Sequence, residues 1–341
     1  MTTLVLIHIG EQWPHYLKDC IKQARLINPS TTVYFLVNKC HSFRLIPLQT
    51  IYKITPVYIE DLPPSTMHTE FVSKIVTMVD LDFRKNYWQY VFERFFLLDR
   101  FCKVYNPGSF YMIETDTMVY VPLDIIKTTE GLFQQDMALP YDTLHQGYPC
   151  FVFFRNKEAV TKFATFMLHI LRQQYLSDMI ILALYWKHHP KEVFPYPVLP
   201  PSCNTPLRDR TSLIGFSAKK EGTAFLSDSR FPILFDAIAF GQALGGIDPR
   251  NSNGNPTLGY INETALYTVE ETQFQWIQMG HLWFPVVNNL PLVNLHIHSK
   301  ALANFLSDSE TMPGAQYNVK DLEAALNNDL KGTSQKIEAK V

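Results

Sequence analysis

The chain has 341 residues, of which 47% are hydrophobic and 18% charged, and its formal net charge is −2. This composition allows a sizeable core in one large domain or two ordinary ones and excludes wholesale disorder. It also excludes the basic footprint of a nucleic-acid binder, since no Lys/Arg run offsets the negative balance.

The first predicted element is the strand "TLVLIHIG" (3–10), which ends in Gly10. The segment before and around it has no basic n-region and no small-residue cleavage site, so it reads as a first core strand and not as a signal peptide. "PHYLKDCIKQARLI" (14–27) has helical spacing through Tyr16, Leu17, Cys20, Ile21, Ala24 and Ile27, with Pro14 near its first turn. "TTVYFLVN" (31–38) and "YKITPVYIEDL" (52–62) read as further strands, so the order argues for an α/β fold with parallel pairs.

Residues 68–104 read as helical, broken near Asp80–Lys85 and ended by "NPG" (106–108). An apolar strand follows over 110–121, interrupted by Glu114, Thr115 and Asp116. "DMALPYD" (136–142) and "GYPCFVFFRN" (147–156) are expected strands. "KEAVTKFATFMLHILRQQY" and "SDMIILALYWKHH" (177–189) are expected helices, the second with Ser177 as N-cap and Pro190 as its stop. From about 190 the chain becomes rich in Pro, Gly and Asn, then closes with the strand "PLVNLHIHSK" (291–300). Residues from 313 are polar and predict a terminal helix or loose tail.

Five cysteines, Cys20, Cys40, Cys102, Cys150 and Cys203, have no metal-type spacing and are odd in number. Free thiols in a cytoplasmic protein are the simplest expectation. No run approaches the roughly 20 apolar residues of a membrane span.

Two constellations carry chemistry. Alternation along an extended chain puts Glu114 and Asp116 on one face, where two carboxylates repel unless a cation lies between them or one stays protonated. Mn²⁺ and Mg²⁺ take such oxygen ligands and keep positions open for phosphate, and strand C-terminal ends in open α/β sheets are where ligands bind. The plain alternative is an edge strand whose acids face water. In "NLHIHSK" (294–300), Asn294, His296 and His298 share one strand face, with Lys300 placed to neutralise phosphate. Here the plain alternative is two ordinary histidines on a half-exposed strand.

With these residues the chain resembles GT-A-fold glycosyltransferases, over approximately residues 3–305. "ETD" stands where that family has its acidic DxD motif, "HIHSK" resembles its late histidine element, and "ERFFLLDRF" and "FDAIAFGQALGGIDPRN" (235–251) are similar to a subgroup from bacteria and large viruses. The resemblance implies an α/β fold of GT-A (Rossmann-like) type with a mainly parallel sheet, a single domain over 1–312, and a nucleotide-binding half to about 125. It implies Mn²⁺ or Mg²⁺ as cofactor, a nucleotide-diphosphate sugar as donor and a carbohydrate or other hydroxyl compound as acceptor. Asp116 becomes the expected metal ligand. Glu114, which replaces the first Asp, is left between metal and ribose. His298 is preferred to His296 as a further ligand because it lies nearer Lys300, and Lys300 is expected on the phosphates.

Further roles follow from the same resemblance. His8 and Gly10 end the strand where the family binds base and ribose. Arg94 is expected to reach the donor, against the plain alternative of a salt bridge with Glu93 or a helix neighbour. Asp178 is the first candidate for general base and Asp142 the second. Asp236, Gln242 and Arg250 offer hydrogen bonds for sugar hydroxyls or simply build a turn under the site. Two other readings remain open: a glycoside hydrolase working with a carboxylate pair, and a binding module without catalysis.

Overall fold

Apolar, β-branched runs build the parallel half of the main sheet. Strands β1 (Thr3–His8), β2 (Thr32–Val37), β3 (Thr55–Tyr58) and β4 (Phe110–Ile113) lie in the order β3-β2-β1-β4, every pair parallel. The computed structural model describes residues 2–76, 86–130, 134–143, 145–200, 231–248 and 272–314. Helices α1 (Leu17–Ile27) and α2 (Ser42–Tyr52) make the two crossovers that step outward from β1, and they pack on each other. The chain then returns through α3 (Thr66–Glu70), a π-helical stretch over Phe71–Ile75 and α4 (Tyr87–Tyr105) to β4 on the other side of β1. Right-handed crossovers place the outward and returning helices on opposite faces. The strand order therefore reverses between β1 and β4, the position in such sheets where a crevice opens at the strands' C-terminal ends.

Beyond β4 the sheet becomes mixed. Strand β8 (Phe151–Phe154) runs antiparallel to β4, β6 (Met137–Thr143) antiparallel to β8, and β7 (Gln146–Gly147) and β9 (Val193–Tyr196) both pair with β6. Helices α6 (Lys157–Leu171) and α7 (Asp178–His188) pack on each other, and α6 packs on α4. The core is made of fully buried aromatics from these layers, among them Phe92, Phe95, Phe96, Phe110 and Tyr111. The fold is thus mixed α/β, with a mainly parallel central sheet flanked by helices. Among the described residues no helix is long and apolar enough to cross a membrane.

Three expected strands end sooner than the sequence pattern suggests. The run 110–121 is two strands: β4 stays in the main sheet, while β5 (Thr117–Val119) leaves it and pairs antiparallel with β13 (Asn294–His296). Apolar content resumes directly after Glu114, Thr115 and Asp116 because both halves are buried, so the run gives no sign that the chain changes partner. The run 147–156 likewise splits into β7 and β8, and 291–300 stops as a strand at His296. The structure also adds α5 (Leu123–Glu130), the helix α2 and a small sheet of β10 (Phe274–Met279), β11 (Leu282–Val287) and β12 (Leu290–Pro291), and the helix-like start of 235–251 is α8 (Ala239–Gly245). The expected break at Asp80–Lys85, Cys203, Arg250 and nearly all of the polar C-terminal segment lie outside the described residues.

Candidate active site

Glu114 and Asp116 sit on the turn that joins β4 to β5, not within one strand. The Glu114 N–H donates to the Cys150 carbonyl at 3.1 Å, and the Thr117 N–H closes the turn onto the Glu114 carbonyl at 3.1 Å. Pairing of β5 with β13 then sets His296 opposite Thr117, and the Ile297 N–H donates to the Asp116 carbonyl at 2.9 Å. Backbone pairing alone thus carries the late histidine to the acidic turn. Helix α4 supplies Arg94 and the first residue of α7 supplies Asp178, whose helix is capped by the Ser177 side chain accepting from the Ile180 N–H.

The side chains close on one another. Arg94 acts as a fork, donating from one terminal nitrogen to Glu114 and from the other to Asp178. Its side chain is 12% exposed, so the pair is neither the surface salt bridge with Glu93 nor a free hand for a ligand. Glu93 instead accepts from His68. The Lys300 ammonium donates to Asp116. The His296 Nε2 lies 3.5 Å from Glu114 Oε2 and 3.3 Å from Asp116 Oδ2. One ligand atom from each of Glu114, Asp116 and His296 falls within 4.8 Å of the others.

This donor set fits a divalent cation. His296 Nδ1–H donates to the Ala237 carbonyl at 3.0 Å, which fixes the ring and aims Nε2 at both carboxylates. A backbone carbonyl behind the imidazole is the usual support for a metal-binding histidine. His298 is placed differently. Its Nδ1 accepts the Asp248 N–H at 2.9 Å, so a neutral ring carries its proton on Nε2 and has no lone pair left. Burial, with Lys300 and His296 nearby, pushes His298 down to about 3 and keeps it neutral. Nearness to Lys300 favoured His298, but the imidazole nitrogen that lies beside both carboxylates belongs to His296, the last residue of β13.

Charges inside the cluster compensate one another. Burial alone would raise Asp116, yet Lys300 and His296 hold it well below the usual carboxylate range. Burial likewise raises Asp178, partly offset by Arg94. For Arg94 and Lys300 burial works against the charged form, but the adjacent carboxylates outweigh it and hold both cations charged.

A second group lies where β1 and β2 end. Gly10 has φ +112, a region that suits glycine, and a Cβ there would meet the Tyr90 ring at 3.1 Å. Its N–H donates to Asn38 Oδ1 at 2.9 Å and its carbonyl accepts from His41 Nε2–H at 2.8 Å. His8 Nε2–H donates to the Gln12 carbonyl at 2.8 Å. The Trp13 ring lies 5.1 Å from that of His41 and 6.2 Å from that of His8, with the Arg44 guanidinium over it at 6.0 Å. Burial depresses His8 to about 4, from an ordinary value near 6.5. A depressed histidine stabilises the fold above its unfolded value and loses that contribution as pH falls through its folded value. We therefore expect an NMR titration of the His8 ring to show a midpoint near 4, and stability to fall between about pH 6.5 and 4. A midpoint near 6.5 would show that the ring is solvated.

Other candidates divide. Asp142 lies in β6, but its side chain is outside the described residues. Asp236 is wholly buried and accepts the N–H groups of Phe240, Gly241 and His296 at 3.0, 2.9 and 3.0 Å, so it supports β13. Burial pushes it up to about 6 despite those donors. Gln242 is buried and its Oε1 has no partner among the described residues. Two tyrosines near the site were not among the candidates: Tyr16 was read only as a core position of the first helix, and Tyr87 was not singled out. The Lys300 Nζ stands 6.0 Å from the Tyr16 ring centre. The Tyr87 phenol, although its residue is 37% exposed, is held above its ordinary value by partial loss of solvent, then by Asp178 and Glu114. Tyr87 is two helical turns before Arg94, so their seven-residue spacing put both on one face of α4.

No protein-family model matches this sequence, and no curated protein matches it. Solved structures that overlay on part of it include mouse xyloside xylosyltransferase 1 in its apo form, at 7% identity and TM-score 0.41, over 58% of this chain and 86% of that one. The galactosyltransferase LgtC with donor and acceptor sugar analogues overlays at 12% identity and TM-score 0.37, over 58% and 76%. A cytidylyltransferase from Leptospira borgpetersenii overlays at 9% identity and TM-score 0.33, over 57% and 74%. Overlays this partial leave the chemistry to be argued from the residues of the site itself.

Proposed function

We propose that this chain is a metal-dependent glycosyltransferase of GT-A type, moving a sugar from a nucleotide-diphosphate donor to a hydroxyl acceptor. The observation that carries the reading is the convergence of Glu114, Asp116 and His296 beside Lys300. It occurs at the C-terminal end of β4, where the strand order reverses. Asp116 Oδ2, Glu114 Oε2 and His296 Nε2 are the atoms that would hold Mn²⁺ or Mg²⁺; the imidazole favours Mn²⁺, since Mg²⁺ keeps to oxygen. The ion supplies a Lewis acid that draws charge off the departing diphosphate.

The remaining roles belong to the protein's own side chains. Lys300 neutralises the diphosphate as it leaves. His8, Gly10 and Asn38, with the Trp13 ring beside His8 and His41, form the shelf for base and ribose. Asp178, raised by burial, is the base that takes the acceptor proton if the transfer inverts. Arg94 orients Asp178 and Glu114 and does not reach for the donor, because both its terminal nitrogens are engaged. A hydrolase built on Glu114 and Asp116 is disfavoured: a cationic side chain engages each carboxylate, Arg94 on Glu114 and Lys300 on Asp116, which leaves neither placed to keep a proton for a leaving sugar.

A panel of nucleotide sugars and nucleoside diphosphates, each with and without Mn²⁺, tests the reading by thermal shift and donor turnover. One nucleotide should stabilise the protein only with metal present, and its sugar donor should turn over. Stabilisation without turnover would make the chain a binding module. No metal-dependent stabilisation anywhere in the panel would overturn the proposal.

A further inference from the structure

Resting on the transferase reading, we propose that Lys300 is an exchangeable counter-ion. It holds Asp116 until a diphosphate arrives and then moves onto that diphosphate, so that the divalent cation binds tightly only together with the diphosphate.

The argument starts from one oxygen. Asp116 Oδ2 accepts from the Lys300 ammonium and is also the oxygen that His296 Nε2 approaches at 3.3 Å. It therefore faces the centre of the Glu114–Asp116–His296 set. A divalent cation and an ammonium cannot both take that oxygen without strong like-charge repulsion. The cation must displace Lys300, and Lys300 must find another anion.

Two features suit Lys300 to exchange partners. Its backbone is left-handed, at φ +67, a region where glycine or asparagine is usual. A long cationic side chain held at such a position points to a role for the side chain itself. The Lys300 N–H donates to the Ile297 carbonyl at 3.0 Å, so the turn after β13 fixes the Cα and leaves the four-carbon stem to move. The side chain is 16% exposed, and the Tyr16 ring 6.0 Å from Nζ offers a second resting face. Arg94 is the contrast: a planar fork bound to two carboxylates at once, with no freedom to leave either.

The consequence is a thermodynamic coupling. Diphosphate raises metal affinity by giving Lys300 a new partner, and metal raises diphosphate affinity by the same factor. A lysine that served only the phosphates would leave the affinity for metal alone unchanged.

The test compares wild type with Lys300→Met, which keeps the stem and removes the charge. Binding of Mn²⁺ alone is read by electron paramagnetic resonance. Binding of Mn²⁺ with inorganic pyrophosphate, which needs no knowledge of the base, is read by calorimetry. Wild type should bind Mn²⁺ weakly alone and about tenfold or more tightly with pyrophosphate, within the usual range of such couplings. Lys300→Met should bind Mn²⁺ alone about tenfold more tightly than wild type, and pyrophosphate more weakly. If wild type shows the coupling but Lys300→Met binds Mn²⁺ alone no better, the exchange is wrong and the transferase reading stands. If neither protein binds Mn²⁺ under either condition, the transferase reading falls and the exchange falls with it. A melting curve for Lys300→Met separates loss of folding from loss of binding.

Discussion

Asp116→Asn is expected to lower sugar transfer by about 10²–10³-fold or more, the range seen when a single charge-stabilising group is removed from an active site. The amide keeps the shape of the carboxylate but brings no charge to hold a divalent cation. It also releases Lys300 and His296, the two cations that Asp116 holds. Removing one partner of a fully buried ion pair costs about 3–5 kcal/mol. The cost here should be smaller, about 1–3 kcal/mol, because Lys300 is 16% exposed and can turn to solvent. His296 can return to the neutral ring, still held through Nδ1–H by Ala237. Mn²⁺ affinity, donor turnover and a denaturant midpoint separate these effects. Undiminished turnover by a folded Asp116→Asn protein would remove Asp116 from the metal site and the metal from the mechanism.

How far the sequence reaches can be seen at these same residues. Glu114 and Asp116 were legible because carboxylates inside an apolar run are costly without partners, and Lys300 because it follows two histidines; Arg94 and Asp178 were candidates through the family resemblance. Their partnerships were not legible. The Arg94–Asp178 contact joins α4 to α7 across 84 residues, and nothing local in either helix signals it. Which of His296 and His298 lies beside the acids was not legible for a related reason: nearness to Lys300 in sequence favours His298, whereas the pairing of β13 with β5 brings His296 to Asp116. Strands β1, β2 and β4 were readable because parallel, doubly covered strands are continuous apolar runs. Helix α2 was not. It contains Pro47, and Phe43, Ile46 and Ile51 are exposed at 82%, 56% and 65%, so apolar residues occur all round and mark no buried face. The β10–β11 hairpin sits in a region whose Pro, Gly and Asn content masks it, although Gly280 at φ +63 makes its turn.

Gly241→Ala should be among the most damaging single substitutions in the chain, although alanine in place of a helical glycine normally stabilises by about 1 kcal/mol. A Cβ at Gly241 would lie 1.8 Å from the His296 carbonyl oxygen and 2.5 Å from its carbon. Both are backbone atoms, so no side chain can move aside to make room. The third neighbour, Asp236 Oδ2 at 3.1 Å, is the atom that accepts the N–H groups of both Gly241 and His296. Helix α8 and strand β13 are therefore clamped through one buried carboxylate at closest backbone approach. Forcing them apart breaks the Asp236 bonds and draws His296 away from Asp116. The expected loss is about 3 kcal/mol or more, at or above the upper end of ordinary overpacking. Mn²⁺ affinity should fall with it, even in the fraction that folds. Gly245→Ala is the control on the same helix: its nearest contact is the Ser299 Oγ at 3.1 Å, then Ile297 Cγ2 at 3.5 Å, both side-chain atoms. That variant should stay within about 1 kcal/mol of wild type. Denaturant midpoints and Mn²⁺ titrations of the two variants check the argument together. If Gly241→Ala matches Gly245→Ala in both, α8 does not hold His296 in place, and the site must take its histidine by another route.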